Sequence, residues 1–370
     1  MSANYRGITL SVHLSKVFEM CILELYSDYF VTSDLQFGFK KRLGCSHALY
    51  TVKSVVQHFT SGSSTVNLCA LDMSKAFDKL NHFALFIELM DRGIPLAILN
   101  VLIYWYSMCS AVVRWDNTLS SRVRLQCGVR QGGVLSPALF ALYVNDLILA
   151  LSRSGHGCYF NNMFMGCVMY ADDLLLLSAS LCDLQSMINI CCEELEKLDM
   201  TVNAKKSQLV RIGRSHNKVV HVVVLNGELI ECVDELKYLG WYILSAKSFK
   251  VSLHYMRVRF FQSFNSLYAK SYCFSEPVMQ HLVNVYCKPY LLYGADVINW
   301  TQSELASIKW TFNSAMCKIY KVKFQQLDDI YKYTCQLDIA DLIMRRHRNF
   351  LYNLWHSPNI IVRHLASVEL

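Results

Sequence analysis

Two adjacent carboxylates, Asp172 and Asp173, interrupt the most hydrophobic stretch of the sequence, VMYADDLLLL from Val168 to Leu177. The two apolar runs and the polar break between them predict a short β-hairpin with the aspartates at its tip. Neighbouring carboxylates repel each other, and a buried carboxylate without a partner is costly unless a cation compensates its charge. A divalent metal ion would supply that charge, whereas aspartates in ordinary turns usually lie in solvent. The hairpin alone leaves both interpretations open.

A third carboxylate, Asp72, lies in LCALDMSKAFD (68–78), where an apolar run ends and a polar, helical pattern begins. A side chain at the end of a strand can project toward a metal ion. Between Asp72 and Asp172 the sequence contains QCGVRQGGVLSP (126–137). Gly132 lacks a Cβ, so the backbone can approach a ligand closely there, and the Gln131 amide can both donate and accept hydrogen bonds. The alternative is a structural glycine turn that precedes a helix.

Taken together, SKAFD, GVRQGGVLSP and YADD resemble motifs A, B and C of the reverse transcriptases, in the family's order and spacing. The sequences of these motifs are most similar to those of the non-long-terminal-repeat (LINE-type) retrotransposon branch, and the resemblance covers most of the chain. It implies that Asp72, Asp172 and Asp173 hold two Mg²⁺ or Mn²⁺ ions, which prefer hard oxygen ligands. The implied fold class is α+β: a right-hand polymerase with fingers, a ferredoxin-like antiparallel palm and a helical thumb.

The resemblance implies that Gln131 and Gly132 bind the incoming dNTP. Two further blocks imply additional contacts to this nucleotide. QFGFKKRLGCSHAL (36–49) looks like a family block near the triphosphate, so Lys40, Lys41 and Arg42 are candidates to neutralise its charge. A basic surface turn is the alternative. Phe77 lies five positions after Asp72 and matches the family's steric gate, a bulky ring that would collide with a ribose 2′-hydroxyl. Deoxynucleotides are then the implied substrate, although a Phe on a helix is commonly a core residue.

Two later blocks complete the resemblance. MTVNAKKSQLV (200–210) resembles motif D, in which Lys206 would protonate the leaving pyrophosphate as general acid. Lys205 is an alternative donor, and a solvated lysine pair is a third possibility. ELKYLG is similar to the family's primer grip, so Tyr238, Leu239 and Gly240 would seat the 3′ end of the primer. CKPYLLYGADVINW (287–300) matches a block of this branch, but its residues suggest no chemistry.

Length and composition predict a folded, multi-unit chain. The chain has 370 residues, 53% of them hydrophobic and 18% charged, which is enough for about two or three packed units. The resemblance divides it into fingers at 1–65, a palm with interleaved fingers segments at 66–240, and a helical thumb with a basic C-terminal region at 241–370. Because no uncharged apolar run reaches about 18 residues, we expect no membrane span. The N-terminus has no signal-peptide pattern.

The positive charge is confined to the C-terminal third. Residues 1–240 hold 21 Lys+Arg and 21 Asp+Glu, whereas residues 241–370 hold 15 and 8, which accounts for the whole net charge of +7. Basic residues interleaved with aromatic ones are typical of a surface that binds a phosphate backbone, although a solvated basic surface has the same composition. Arg257, Arg259 and Lys270 are the candidate contacts to nucleic acid.

The cysteines predict a reducing compartment. There are 15, an odd number, and no two have C-x-x-C spacing, so neither a disulfide scaffold nor a usual zinc site is indicated. We interpret them as small, buried apolar residues of an intracellular protein in the nucleus or cytoplasm.

The resulting expectation is an RNA-directed DNA polymerase that extends a DNA primer with dNTPs on an RNA template during retrotransposition. Phe77 and the YADD sequence argue against an RNA-dependent RNA polymerase. A retroelement-derived nucleic-acid-binding protein without catalysis remains the alternative of a different class. The chain begins almost at the block NYRGITL, and neither an endonuclease nor zinc knuckles are recognisable, so we expect a fragment or a truncated copy.

Overall fold

The computed structural model describes residues 8–73, 76–218, 223–270, 274–334 and 336–369. Ser74 and Lys75 of the SKAFD block, and residues 4–7 of NYRGITL, lie outside this range. The helices of the described residues are α1 His13–Leu25, α2 Cys45–Ser61, α3 Ala76–Lys79, α4 His82–Asp91, α5 Leu96–Met108, α6 Ser136–Tyr143, α7 Asn145–Arg153, α8 Leu181–Lys197, α9 His254–Tyr268, α10 Glu276–Leu282, α11 Lys288–Leu292, α12 Gln302–Tyr320, α13 Leu327–Tyr333, α14 Ile339–Leu354 and α15 Ile360–Glu369.

The strands of the same residues are mostly short. They are β1 Thr65–Asp72, β2 Ser110–Ala111, β3 Arg114–Trp115, β4 Thr118–Leu119, β5 Val123–Arg124, β6 Tyr159–Phe160, β7 Met163–Phe164, β8 Cys167–Tyr170, β9 Asp173–Ser178, β10 Gln208–Gly213, β11 Val224–Leu225, β12 Glu228–Leu229, β13 Glu231–Cys232, β14 Glu235–Tyr238 and β15 Trp241–Leu244. Asn226 and Gly227 form the turn between β11 and β12, and both have positive φ, as is typical of an Asn-Gly hairpin.

The chain folds into two compact units, in agreement with the predicted number. The first comprises residues 1–41, 55–234 and 245–248, and the second comprises residues 42–54, 235–244 and 249–370. The further division into fingers, palm and thumb stays a prediction.

The first unit is built on a five-stranded sheet in the order β13-β10-β1-β9-β8. The strands β10, β1, β9 and β8 are antiparallel to their neighbours, and β13 adds a parallel edge beside β10. Helices α3 to α7 connect β1 to β8, and α8 connects β9 to β10. This is the β-α-β-β-α-β arrangement of a ferredoxin-like fold, so the predicted palm topology is confirmed.

The sheet is covered by α8, which packs against β9 and α7. Its apolar residues lie on one face at helical spacing, and Leu184, Met187, Ile188, Cys191 and Leu195 are all buried. The Ser180 hydroxyl caps the start of α8 by accepting a hydrogen bond from the backbone N–H of Asp183. Burial on both faces explains why β1 and β9 are nearly continuous apolar runs. The strand ends that carry the aspartates are therefore attached to a rigid core.

The second unit is mainly helical. Its core is formed by the apolar faces of the helices from α9 to α14, with Phe260, Phe264 and Phe312 as the large buried rings. The same unit contains the β14–β15 hairpin. No helix among the described residues is long and apolar enough to cross a membrane.

The cysteines only partly follow the prediction. Those described by the structure are free thiols, and Cys69, Cys158 and Cys167 are buried as expected. Burial raises the pKa of Cys69 and Cys158 to about 12, so these thiols stay protonated near neutral pH. Cys127 and Cys182, by contrast, are exposed. A cysteine count cannot distinguish the two environments because burial depends on which face of an element the residue occupies.

Candidate active site

The sheet brings the three predicted carboxylates to one edge. In the β1–β9 pair, Asp72 lies directly opposite Asp173. In the β8–β9 hairpin, Tyr170 lies opposite Asp173, so the two-residue tip consists of Ala171 and Asp172. The sequence placed both aspartates at the tip, whereas Asp173 is the first residue of β9. Directly opposite residues of antiparallel strands project to the same face. Asp72 and Asp173 are therefore a like-charge cross-strand pair, with Asp172 beside them in the turn.

The three carboxylates are less buried than the sequence argument assumed. The Asp72 side chain is 41% exposed, Asp172 is half-buried and Asp173 is exposed. They lie at the rim of the sheet because each occupies a strand end or a turn. Their mutual repulsion is partly screened by water, so burial alone does not require a cation.

The segment at 200–210, which resembles motif D, is hydrogen-bonded to the backbone of Asp72. The Asp72 carbonyl accepts a hydrogen bond from Asn203 N at 2.9 Å, and Asp72 N donates to the Ser207 hydroxyl at 3.3 Å. Ser207 in turn donates to the Asn203 carbonyl at 2.8 Å. This arrangement places Lys206 Nζ 4.0 Å from Asp72 Oδ2. Lys205 is exposed, and its backbone N–H donates to the Asn203 side chain at 3.1 Å.

The chemistry of the site fits a hard divalent cation. Among the described residues no three His, Cys, Asp or Glu side chains converge into a preformed metal cluster. The strand register nevertheless places three carboxylates at one sheet edge. They offer only oxygen ligands, which Mg²⁺ and Mn²⁺ prefer. Like charges directly opposite each other are unfavourable, and a bound cation would remove that cost.

Phe77 has a packed face and a partly open edge. Its ring is stacked on the fully buried Phe140, with centroids 4.4 Å apart, and meets Phe39 edge-on at 6.1 Å. The Phe77 carbonyl accepts a hydrogen bond from Val129 N at 2.9 Å, which ties α3 to the start of the glycine-rich block. Phe77 is half-buried, so the contacts account for a core role and still leave an edge for a nucleotide.

Lys40 is engaged in the local structure of its own loop. Its ammonium donates to the carbonyls of Thr32 and Ser33 at 3.0 and 2.6 Å and lies 3.7 Å from Asp34. Burial lowers the pKa of Lys40, and Asp34 opposes that shift. These contacts give Lys40 a structural role in its own loop, which differs from both the triphosphate ligand and the basic surface turn considered from the sequence.

The two neighbours of Lys40 are open to solvent. Lys41 is 94% exposed and makes an ion pair of 3.5 Å with Glu24, and Arg42 is exposed with φ of 65°. An exposed ion pair of this kind is weak and easily exchanged for a ligand. Lys41 and Arg42 are therefore the better candidates for a triphosphate.

The glycine-rich block forms a loop that is held from two sides. Gln131 Nε2 donates to Asp78 Oδ1 at 3.0 Å, and the Gln131 carbonyl accepts from Thr9 N at 2.8 Å. Gly132 has φ of 120°, and a Cβ there would lie 2.8 Å from the Thr9 carbonyl oxygen. The glycine is thus required by a left-handed backbone and a close approach. The amide of Gln131 is already hydrogen-bonded, so a nucleotide would compete with Asp78 for it.

A buried glutamate that sequence reasoning missed organises the same loop. The Glu19 side chain is 2% exposed, and its carboxylate makes an ion pair of 2.7 Å with Arg130. It also accepts hydrogen bonds from the backbone N–H groups of Val134 and Leu135. The cap position of α6 is Leu135, and no side chain of the helix itself caps it. Glu19 takes that role because it satisfies the N–H groups that precede the helix.

The predicted primer grip is a tight hairpin turn in the second unit. Tyr238 and Trp241 pair at the ends of β14 and β15, and Leu239 and Gly240 form the turn with φ of 44° and 81°. Positive φ at both central residues is the pattern of a type I′ turn, which is favourable for Gly240 and strained for Leu239. A strained turn of this kind needs support from outside the hairpin.

That support comes from the block at 287–300, for which the sequence suggested no chemistry. The Tyr293 hydroxyl donates to the Leu239 carbonyl at 2.7 Å, and the Tyr293 ring lies under Gly240, where a Cβ would meet it at 2.9 Å. Gly294 likewise lacks a Cβ that would clash with the indole of Trp241. The block at 287–300 therefore supports the turn at Leu239 and Gly240.

Of the three predicted backbone contacts, two are open to solvent. Arg259 and Lys270 are exposed, whereas Arg257 donates to the Thr311 hydroxyl at 3.0 Å and lies over the Trp310 ring. Arg259 also lines a cavity of about 500 Å³ beside the hairpin turn, together with Tyr242, Tyr255, Tyr290, Tyr293 and Lys237. Cations and aromatic faces in one cavity are the groups that bind single nucleic-acid strands.

Comparison with known proteins agrees with this architecture. A family model described as reverse transcriptase (RNA-dependent DNA polymerase) matches residues 2–243. The chain is 29% identical over 213 residues to the Pol polyprotein of the type-2 retrotransposable element R2DM of Drosophila melanogaster, and 27% identical over 250 residues to the RNA-directed DNA polymerase of the mobile element jockey of Drosophila funebris. These alignments cover 55% and 64% of this chain but only 20% and 26% of the relatives.

Among solved structures, apo telomerase from Candida tropicalis aligns with 99% of this chain and 62% of its own, at 13% identity and a TM-score of 0.44. The family match covers well over half of the chain and includes all three aspartates. This protein belongs to the reverse transcriptase family.

Proposed function

We propose that the chain is the polymerase part of a non-long-terminal-repeat retrotransposon protein. It extends the 3′-hydroxyl of a DNA primer with dNTPs on an RNA template, in the nucleus or cytoplasm. The observation that carries the proposal is the strand register that gathers Asp72, Asp172 and Asp173 at one edge of a ferredoxin-like sheet. Reverse transcriptases generally use divalent metal ions, and this donor set fits them.

The carboxylates of Asp72, Asp172 and Asp173 would hold two Mg²⁺ or Mn²⁺ ions. When bound, such ions lower the pKa of a hydroxyl and neutralise charge that develops on phosphate oxygens. The contribution of the protein is to hold the carboxylates at fixed strand ends. Lys206, whose Nζ lies 4.0 Å from Asp72 Oδ2, is the better placed lysine to give a proton to the departing pyrophosphate oxygen.

The remaining residues would select and orient the substrates. Phe77 excludes the ribose 2′-hydroxyl, and Gln131 and Gly132 face the nucleotide as its base pairs with the template. Lys41 and Arg42 would neutralise the triphosphate, whereas Lys40 would hold their loop through its hydrogen bonds to the Thr32 and Ser33 carbonyls.

The second unit would bind the duplex. Tyr238, Leu239 and Gly240 seat the primer end, and Arg259 and Lys270 contact the phosphate backbone.

The test is primer extension on an RNA template with the wild-type chain, Asp72→Asn and Asp183→Asn. Asp183 is a matched control because its side chain is also 41% exposed and ion-paired, to His156 at 3.1 Å. We expect Mg²⁺-dependent extension by the wild type and by Asp183→Asn, and none above background by Asp72→Asn, with template binding retained in all three.

Extension by Asp72→Asn at the rate of Asp183→Asn would refute the metal assignment. Template binding by the wild type with no extension in either Mg²⁺ or Mn²⁺ would favour a nucleic-acid-binding protein that has lost catalysis.

A further inference from the structure

A buried segment, Leu35 to Gly38, runs alongside the outer edge of β8. Phe37 N donates to the Met169 carbonyl at 2.8 Å, and Met169 N donates to the Leu35 carbonyl at 2.9 Å. Gln36 and Met169 thereby form a parallel bridge that extends the sheet beyond β8. The Gln36 side chain is completely buried and points along β8 to the tip of the hairpin.

The Gln36 amide satisfies both backbone polar groups of Ala171. Its Oε1 accepts hydrogen bonds from Ala171 N at 3.1 Å and from Gly38 N at 3.0 Å. Its Nε2 donates to the Ala171 carbonyl at 3.4 Å. Two N–H groups need an acceptor and one carbonyl needs a donor, so only one orientation of the amide serves all three.

Ala171 needs this support because its φ is 57°. The left-handed region is unfavourable for any residue with a Cβ, and such residues persist where the surroundings hold them. Gly38 is part of the same contact, since a Cβ there would lie 2.5 Å from Ala171 N. Ala171 immediately precedes Asp172 and Asp173, so its conformation sets the direction in which both carboxylates leave the hairpin.

We propose that Gln36 is a positioning residue for the divalent metal site: by holding Ala171 in the left-handed conformation it aims Asp172 and Asp173 at the edge shared with Asp72. The inference rests on the proposed function, because it assumes that these carboxylates bind the ions. Gln36 touches neither substrate nor metal and acts only through the backbone of the turn. Gly38 is required because it lets the segment approach that closely.

The first test is Mn²⁺ binding by the full chain, measured from the electron paramagnetic resonance signal of free Mn²⁺, which needs no catalysis. Gln36→Leu removes both the acceptor and the donor while keeping the side chain apolar and of similar size. We expect Mn²⁺ affinity to fall by about tenfold or more, the effect typical of removing a partner that orients metal ligands. The Mg²⁺ concentration for half-maximal primer extension should rise by the same factor.

Asn67→Leu is the matched control. Asn67 is a buried amide in β1 of the same sheet, five positions before Asp72, where its Nδ2 donates to the Ser178 carbonyl at 3.0 Å and its Oδ1 accepts from Arg211 at 3.0 Å. Its replacement should lower the melting temperature at least as much as Gln36→Leu. Because the bonds that Asn67 makes lie at the other end of β1, Mn²⁺ affinity should stay within about twofold of wild type, well inside the effect expected for a displaced ligand.

A rescue experiment separates positioning from a defect in core packing. Glycine adopts positive φ without strain, so Ala171→Gly in the Gln36→Leu background should restore much of the Mn²⁺ affinity. Should Gln36→Leu fail to fold, Gln36→Asn keeps a polar amide that is one methylene too short to reach Ala171, and the same drop in affinity and the same rescue are expected.

Either of two results would overturn the proposal: Mn²⁺ affinity in the folded Gln36 variant equal to that of Asn67→Leu, or no rescue by Ala171→Gly. A wild-type chain that binds Mn²⁺ but extends no primer would contradict the proposed polymerase activity and leave the positioning role standing. The two failures are therefore distinguishable.

Discussion

Glu19→Gln tests how strongly the glycine-rich loop depends on one buried ion pair. The substitution keeps the shape of the side chain and an oxygen for the Val134 and Leu135 N–H groups, but it removes the negative charge opposite Arg130. Arg130 is 16% exposed, so its guanidinium would be left largely buried without a counter-charge. Breaking one side of a buried pair typically costs about 3–5 kcal/mol.

The same helix provides the control. Glu24 also lies in α1 and pairs with Lys41, but these side chains are 80% and 94% exposed. Exposed pairs of this kind are worth about 0–1 kcal/mol. Glu24→Gln should therefore change the free energy of unfolding by less than about 1 kcal/mol, whereas Glu19→Gln should lower it by about 3 kcal/mol.

The assay is denaturant unfolding combined with amide hydrogen exchange. Exchange at Val134 and Leu135 reports the loop directly, because these are the N–H groups that Glu19 holds. A local destabilisation of about 3 kcal/mol would accelerate their exchange by roughly 100-fold. Because Gln131 and Gly132 lie in this loop, the KM for dNTP should rise more than kcat falls.

A double variant tests whether the unpaired Arg130 guanidinium causes the loss of stability. Glu19→Gln with Arg130→Met removes both charges and should recover part of the stability, since the cost arises from the unpaired guanidinium. Equal destabilisation by Glu19→Gln and Glu24→Gln would refute the reasoning, and so would a double variant less stable than the single one.

Three further predictions address the substrate contacts. Phe77→Val should reduce the preference for dNTP over rNTP, measured as the ratio of kcat/KM values; an unchanged ratio with a lower melting temperature would assign the ring to the core. Arg259→Ala combined with Lys270→Ala should weaken template–primer binding without changing sequence preference, and should flatten the log–log salt dependence by about one unit for each phosphate that the protein no longer neutralises. An unaltered Kd and slope would place both residues outside the nucleic-acid interface. Tyr293→Phe deletes the hydroxyl bonded to the Leu239 carbonyl and should cost about 1 kcal/mol of stability while raising the KM for primer; a decrease in stability alone would contradict a role in the primer grip.

Short-range sequence patterns predict the hairpins and helix faces of this fold, because these features depend on residues that are close together in the chain. The β8–β9 hairpin follows from apolar runs around a polar break, and the stripe of α8 follows from helical spacing. Motif order then predicted the palm topology, which the strand register confirms. For Asp72, the sequence placed the residue at a strand end, and the structure adds that its partner across the sheet is Asp173.

The residues that sequence reasoning missed act over long separations in the chain. Gln36 contacts a residue 135 positions away, and Glu19 contacts one 115 positions away. Neither periodicity nor turn chemistry contains information at that range, because the partner is chosen by the packing of whole elements. Lys40 shows a short-range contact that the sequence did not indicate either: its ammonium donates to carbonyls only seven and eight positions away.

A physical reason connects these observations. Carboxylates that are to bind a metal ion and a nucleotide must keep their oxygen atoms available. Strong hydrogen bonds from other protein groups to these oxygens therefore cannot be what fixes their orientation. Their geometry has to come from the backbone that carries them. In this chain the backbone of Asp72 is held by Asn203 and Ser207, and the turn before Asp172 is held by Gln36. The proposed catalytic carboxylates thus lie near solvent, whereas Gln36 and Ser207, which hold the backbone beside them, are buried. Their partners are distant in the chain, which is why these two residues leave so weak a signal in the sequence.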